Sequence, residues 1–206
     1  RLSKDIYGAD EKFLARTLYQ YSDHKANQGD KANNGQAIAV QFDEQGRRTH
    51  KYVFANNTDI EKQQAILRED QRHTEKGGII KDSFAQFDVH TGKDIPLFKS
   101  EHQTDIDRGR SSVHEQSFRD GKKIEEKTIG FDQHGKADAF KYSNVDLNCQ
   151  VDFTFSKTGK ATDVNGHCGD MDKRSLLRLA DTQTAHAIIN YQIKAIESSD
   201  ILAKHG

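Results

Sequence analysis

The chain has 206 residues and a formal net charge of −1, and 33% of its residues are hydrophobic whereas 31% are charged. Its 31 lysines and arginines nearly balance its 32 aspartates and glutamates, so no global charge favours nucleic acid or an anionic membrane. No apolar run approaches the length of a membrane-spanning helix, which predicts no transmembrane segment. The length suits one domain, residues 1–206, with a modest core.

The first predicted element is an amphipathic helix over residues 10–21, which together with a polar loop makes up an N-terminal region, 1–35. The helix prediction depends on a stripe with the spacing i, i+3, i+4, i+7, formed by Phe13, Leu14, Thr17, Leu18 and Tyr21. Residues 22–35 contain almost no apolar side chain and are expected to form an exposed loop. The chain starts at Arg1 without an apolar leader, which leaves open a lipid anchor on a preceding segment.

The next region, residues 36–168, is predicted to be a sheet of hairpins interrupted by one helix. Alternating apolar residues and a glycine-containing turn predict a hairpin over residues 38–54. Asn57 or Thr58 can cap a helix near 58–75, because their side chains accept hydrogen bonds from free backbone N–H groups. Further strands are expected at residues 79–87, 96–102, 111–118, 123–131, 137–143, 148–155 and 161–164.

A long amphipathic helix is predicted in the C-terminal region, residues 169–206. Asp170 or Asp172 can cap it, and residues 173–198 carry the broadest apolar stripe of the chain. The predicted fold class is therefore α+β. It consists of an antiparallel meander of about six to eight strands, with the N-terminal and C-terminal helices packed on one face.

A short turn pattern recurs in the strand-rich region. The pattern occurs at residues 42–47, 131–136 and 155–160. It consists of an aromatic residue, then Asp or Ser, two variable residues, Gly and a cationic residue. Asp or Ser can accept turn N–H groups and Gly can adopt positive φ, which predicts tight hairpin turns. Looser versions occur at residues 87–93 and 118–122. The pattern is similar to the turns of bacterial YD-type and MORN-like repeat proteins over six residues at a time, and we infer no function from it.

Cys149 and Cys168 are predicted to form a disulfide. They flank a hairpin whose turn contains Gly159, and a loop of three or four residues places the two thiols close together on neighbouring strands. Disulfides persist in oxidising compartments, so the pair favours export to the periplasm or the cell surface. Two reduced thiols are the alternative, and two cysteines beside His167 make an incomplete zinc set.

No catalytic, metal-binding or cofactor-binding residue is assigned, and no cofactor is expected. The ten histidines show neither the i, i+2 nor the i, i+4 spacing of a local metal site, and His114-Glu115 lacks the second histidine of a zincin motif. His90 and His134 lie at comparable positions in two loops and could approach each other. Residues 163–166 resemble a calcium loop only faintly, since the later bidentate glutamate is missing.

Taken together, these features predict a non-enzymatic protein-binding module in the periplasm or on the cell surface, such as an adaptor, assembly factor or inhibitor. The expected partner is another protein. Nucleic acid is not expected, because acidic residues interleave with the densest cationic stretch, Arg108, Arg110, Arg119, Lys122 and Lys123. One alternative is a metal-dependent hydrolase that uses loop His and Asp residues. The other is an immunity-type inhibitor that neutralises a toxin and keeps its own two cysteines reduced.

Overall fold

Alternation of polar and apolar residues with a period of two extends through most of the chain, and this pattern forms strands. The computed structural model describes residues 2–7, 9, 13–21, 37–55, 59, 62, 64–75, 79–88 and 95–188. Within these residues twelve strands form an antiparallel sheet in sequence order. They are β1 (Leu2–Tyr7), β2 (Phe13–Tyr21), β3 (Ala37–Phe42), β4 (Arg48–Phe54), β5 (Leu67–His73), β6 (Ile79–Asp88), β7 (Ile95–Asp105), β8 (Arg110–Arg119), β9 (Lys122–Phe131), β10 (Ala137–Asn144), β11 (Cys149–Phe155) and β12 (Ala161–Cys168).

The predicted α+β class, with six to eight strands and a helix near each end, is wrong. The segment predicted as an N-terminal helix is β2, which pairs with both β1 and β3. Its aromatic and β-branched residues suit a strand as well as a helix, and hydrogen bonding on both sides decides the outcome. The predicted hairpin at 38–54 is present as β3 and β4. The predicted polar loop at 22–35 lies outside the described residues.

The predicted helix near 58–75 is also wrong, because its second half is β5. This strand has few apolar residues, and its polar side chains bind across the sheet. Glu69 pairs with Arg48 and Lys51 on β4, and Asp70 lies 3.4 Å from the His50 ring. Cross-strand ion pairs of this kind stabilise a strand without apolar alternation.

The C-terminal helix is present as α1, residues 173–188, and the rest of its predicted range lies outside the described residues. Asp172 caps α1, since its carboxylate accepts the Ser175 backbone N–H at 2.8 Å. No helix in the described part of the chain is long and apolar enough to span a membrane.

The chain divides into two compact units, unit 1 (Arg1–Lys99) and unit 2 (Ser100–Gly206). Unit 1 has a small core in which Ala37, Ala39 and Phe54 are buried and Tyr52 and Ala65 pack against them. Arg68 lies over the Tyr52 ring at 5.8 Å. A single domain over residues 1–206 stays a prediction.

Unit 2 has the larger core, and α1 covers one face of its sheet. Leu176 and Ala180 of α1 are buried against strand residues, and the Asp181 carboxylate accepts the Ala161 backbone N–H at 2.9 Å. The strand residues of this core are Val113, Ile129, Phe131, Ala137, Phe140, Cys149, Val151, Phe153, Ala161 and Cys168. We call the α1 side the inner face of unit 2 and the opposite side its outer face.

The recurring turn is confirmed at its three regular sites. In each, the Asp or Ser side chain accepts two backbone N–H groups, as Asp132 does from His134 and Lys136 at 2.8 and 2.9 Å. The turn glycine has φ between 73° and 81°, a conformation that glycine adopts without strain. The tighter site at 118–122 turns through Asp120 and Gly121, both with positive φ. Most of the site at 87–93 lies outside the described residues.

The predicted disulfide is present. Cys149 and Cys168 are direct cross-strand partners on β11 and β12, and their sulfurs are bonded. Both residues belong to the core of unit 2. The bond therefore ties together two strand ends that also hold buried side chains.

Candidate binding surface

Unit 2 presents a regular polar array on its outer face. Successive strand residues point to opposite sides, so the neighbours of buried core residues point outward. The register places outward residues of β9, β10, β11 and β12 in two adjacent rows. We call these eight residues the polar grid: Glu126, Ser143, Gln150 and His167 in one row, and Thr128, Lys141, Asp152 and Asn165 in the other.

The polar grid lines an open cavity of about 450 Å³. All eight grid residues contribute, and the remaining lining residues are Tyr142, Val151 and Gly166. The Val151 side chain belongs to the inner core, and the Tyr142 hydroxyl donates to Glu125 at 2.6 Å on that same side. The cavity therefore opens on the outer face and is bounded mainly by polar side chains.

Glu126 is the most strongly perturbed carboxylate of the grid. Its Oε2 accepts a hydrogen bond from Lys123 at 2.6 Å, and its Oε1 accepts from Gln116 and from the His114 ring, both at 2.8 Å. These bonds, led by that from Lys123, lower the pKa of Glu126 to about 2. Glu126 is therefore a stable anion whose two oxygens are already engaged.

The second charged pair of the grid is more exposed. The Lys141 ammonium lies 3.6 Å from the Asp152 carboxylate, and their side chains are 71% and 54% exposed. An exposed pair of this kind contributes little stability, but it balances the charge locally. Lys123, which lies outside the grid, balances Glu126 in the same way, so the carboxylates of the grid each have a cationic partner.

The four uncharged side chains of the grid differ from the charged ones. Thr128, Ser143, Gln150 and Asn165 make no side-chain hydrogen bond in the described part of the chain. Gln150 and Asn165 are exposed. Hydroxyl and amide groups both donate and accept, so these side chains offer a ligand several free hydrogen-bonding positions.

Three exposed apolar residues lie on two adjoining segments at one end of unit 2. Val145 and Leu147 in the β10–β11 turn are 72% and 54% exposed, and Met171 between β12 and α1 is 41% exposed. Backbone hydrogen bonds hold these segments, since Met171 N–H donates to Cys168 at 3.1 Å and Gly169 N–H donates to Asn148 at 3.3 Å. We call Val145, Leu147 and Met171 the apolar tip.

The inner face carries a polar cluster of its own beyond the core. Besides Tyr142, the Ser117 hydroxyl donates to Glu125 at 3.3 Å. Burial, together with the bond to Glu125, raises the pKa of Tyr142 to about 12. A tyrosine that stays protonated and donates to a neighbouring carboxylate is a structural group, because its raised pKa keeps the hydroxyl from releasing its proton near neutral pH.

The described histidines do not form a metal site. Among the residues that the structure describes, no three His, Cys, Asp or Glu side chains lie close enough together to hold a metal ion. His134 lies in the turn after β9, beside the Gln133 amide at 3.3 Å. His90 lies outside the described residues, so the predicted approach of His90 and His134 is untested. Asp163 of the faint calcium-loop segment pairs with Lys173 at 2.6 Å.

Most of the cationic stretch is paired with carboxylates. Arg119 pairs with Asp146 at 2.7 Å, Arg110 pairs with Asp138, and Arg108 lies 3.9 Å from Asp105.

The polar grid was not predicted from the sequence. The sequence shows polar residues at alternate positions of the four strands, but only the register shows that these positions are neighbours across the sheet.

Comparison of the chain with known protein families and with curated proteins finds no match to either.

Proposed function

We propose that this chain is a non-enzymatic protein-binding module that acts in the periplasm or on the cell surface, and that it contacts its partner protein through the apolar tip. The observation that carries the proposal is the exposure of three large aliphatic side chains at one end of unit 2. Exposed apolar residues that lie on adjoining segments, rather than scattered singly, are typical of protein contact sites.

The chemistry around the apolar tip supports a protein partner. Arg119 and Asp146 form an ion pair beside Val145 and Leu147, and Lys173 follows Met171. An apolar centre with a charged rim is the usual composition of a protein interface. The partner surface would then be an apolar depression edged by polar groups.

The disulfide supports both the location and the binding mode. Cys149 lies two residues after Leu147, and Cys168 lies three residues before Met171. The bond therefore fixes the two segments of the apolar tip before a partner arrives, which lowers the entropy cost of binding. A structural role of this kind requires an oxidising compartment, where the bond persists.

The test is co-purification from the cell envelope of the source organism with the tagged full chain. The Leu147→Asp variant places a charge in the apolar tip, and the matched control, Ile106→Asp, changes an aliphatic side chain that is 57% exposed in the β7–β8 turn at the other end of the unit 2 strands. We expect a captured protein that is lost with Leu147→Asp and retained with Ile106→Asp. Capture of nothing, equal capture by both variants, or equal loss with both would overturn the proposal.

A further inference from the structure

We propose that the polar grid is a second binding site, whose ligand is a neutral glycan. The site lies on the outer face of unit 2 and shares no residue with the apolar tip. The inference is therefore independent of the protein contact proposed above. It rests on the cavity of about 450 Å³ and on the hydrogen-bonding state of the side chains that line it.

Four side chains of the polar grid have free hydrogen-bonding groups. Thr128, Ser143, Gln150 and Asn165 come from four neighbouring strands and have no side-chain partner in the described residues. Each of them can donate and accept. Sugar hydroxyls have the same dual character, so one sugar can satisfy several of these groups at once.

The charged groups of the grid are already paired, which favours a neutral ligand over an ionic one. Glu126 already accepts from three donors, and Lys141 and Asp152 balance one another. An anion would have to displace Asp152 from Lys141, and a cation would have to compete with Lys123 for Glu126. A neutral ligand would leave both ion pairs in place and needs no counter-charge from the site.

The outer face of these strands disfavours an apolar ligand. The apolar side chains of these strands point to the inner face, where Phe140, Val151 and Phe153 are buried. The outer positions between them are polar, and pockets that bind apolar molecules are lined mainly by hydrophobic and aromatic groups. The hydroxyl, amide and charged groups at these outer positions therefore favour a ligand that carries several hydrogen-bonding groups.

The dimensions of the grid suit a short chain of sugars. Neighbouring strands are about 4.8 Å apart. The distance between successive residues of one row is therefore nearly the length of one pyranose unit. An extended peptide fits less well, because its backbone pairs with the edge of a sheet and its alternate side chains need separate pockets. The grid offers a face rather than an edge.

The experiment is an NMR titration of the ¹⁵N-labelled full chain. The probes are three neutral oligosaccharides, maltohexaose, cellohexaose and chitohexaose, together with anionic oligogalacturonate and an extended Gly-Ser peptide. We expect saturable shifts of the Gln150 and Asn165 side-chain amide signals with at least one neutral probe. Loss of one hydrogen bond in Gln150→Ala or in Asn165→Ala should weaken that binding by about five-fold.

The matched control is Thr154→Ala, which changes an exposed polar residue on the same face of β11 outside the cavity. Gln150, Asn165 and Thr154 make no side-chain hydrogen bond in the described residues, so the three variants should fold alike. The proposal is overturned if none of the neutral probes moves the two amide signals. It is also overturned if only the anionic probe or the peptide does so, or if Thr154→Ala weakens binding as much as the grid variants.

Discussion

Opening the Cys149–Cys168 bond should remove about 3 kcal/mol from the free energy of unfolding of unit 2. The two cysteines are 19 residues apart, and a cross-link that closes a loop of about this length restricts the unfolded chain by roughly that amount. Both sulfurs are buried, with the two residues only 5% and 2% exposed. A Cys149→Ala/Cys168→Ala variant also loses packing around the missing sulfurs, so its loss should exceed that of the reduced wild-type protein.

Urea unfolding followed by circular dichroism gives the two free energies, for the oxidised protein and for the same protein in dithiothreitol. For a unit of this size the loss corresponds to a fall of about 10 °C or more in the thermal midpoint. Hydrogen exchange then shows where stability is lost. Faster exchange should appear in β11 and β12 and in the apolar tip, whereas strands of unit 1 should exchange as before.

Two results would refute this reasoning. Thiol titration of denatured protein, purified without reductant, could find two free thiols, and the disulfide and the argument for export would then both fail. A difference below about 1 kcal/mol between oxidised and reduced protein would show that the bond does not restrict the unfolded chain as the loop-entropy argument requires.

Two further predictions concern residues that line the cavity of unit 2. The carboxyl group of Glu126 should titrate with a pKa of about 2, and Lys123→Met should raise that pKa toward 4.5. Because folding lowers the pKa, the contribution of Glu126 to the free energy of unfolding is complete above pH 4.5 and is lost as the pH falls through about 2. A wild-type midpoint near 4.5 by ¹³C NMR would contradict the assignment. Gly166→Ala should destabilise unit 2 by about 3 kcal/mol or more in urea, since its Cβ would collide with the Gln150 carbonyl oxygen and the backbone there has a φ of +109°. The control Gly135→Ala, at φ +73° with no atom within 4 Å, should cost about 1 kcal/mol, and equal losses would show that the close approach is unimportant.

The turns and the disulfide could be predicted from the sequence because local chemistry determines them. Asp132 binds N–H groups within four residues of itself, and Gly135 adopts a conformation that few other residues tolerate. The same turn gives the same register each time, since residue i pairs with residue i+6 at Phe42, Phe131 and Phe155. The register then brings Cys149 opposite Cys168.

The two wrong helix predictions, in which β2 and β5 were not predicted as strands, have a different cause. Over nine residues the apolar positions of β2 fit a helical stripe, and the choice between periods is made by β1 and β3, which pair with it. In β5 the choice is made by ion pairs such as Arg48–Glu69, whose partners are far apart in sequence. A pattern within one segment contains no information about such partners, so long-range pairing decided both outcomes.

Stability and recognition are separated between the two faces of unit 2. Phe140, Val151 and Phe153 are almost wholly buried, and substitution there would disturb the core. Gln150 and Asn165, one position away, are exposed and make no side-chain hydrogen bond in the described residues, so their substitution leaves the core intact. Because each strand alternates between the two faces, the same turns and disulfide that hold the core also fix the spacing of the polar grid. Binding at the grid can therefore be altered without changing stability, whereas opening the disulfide should weaken both.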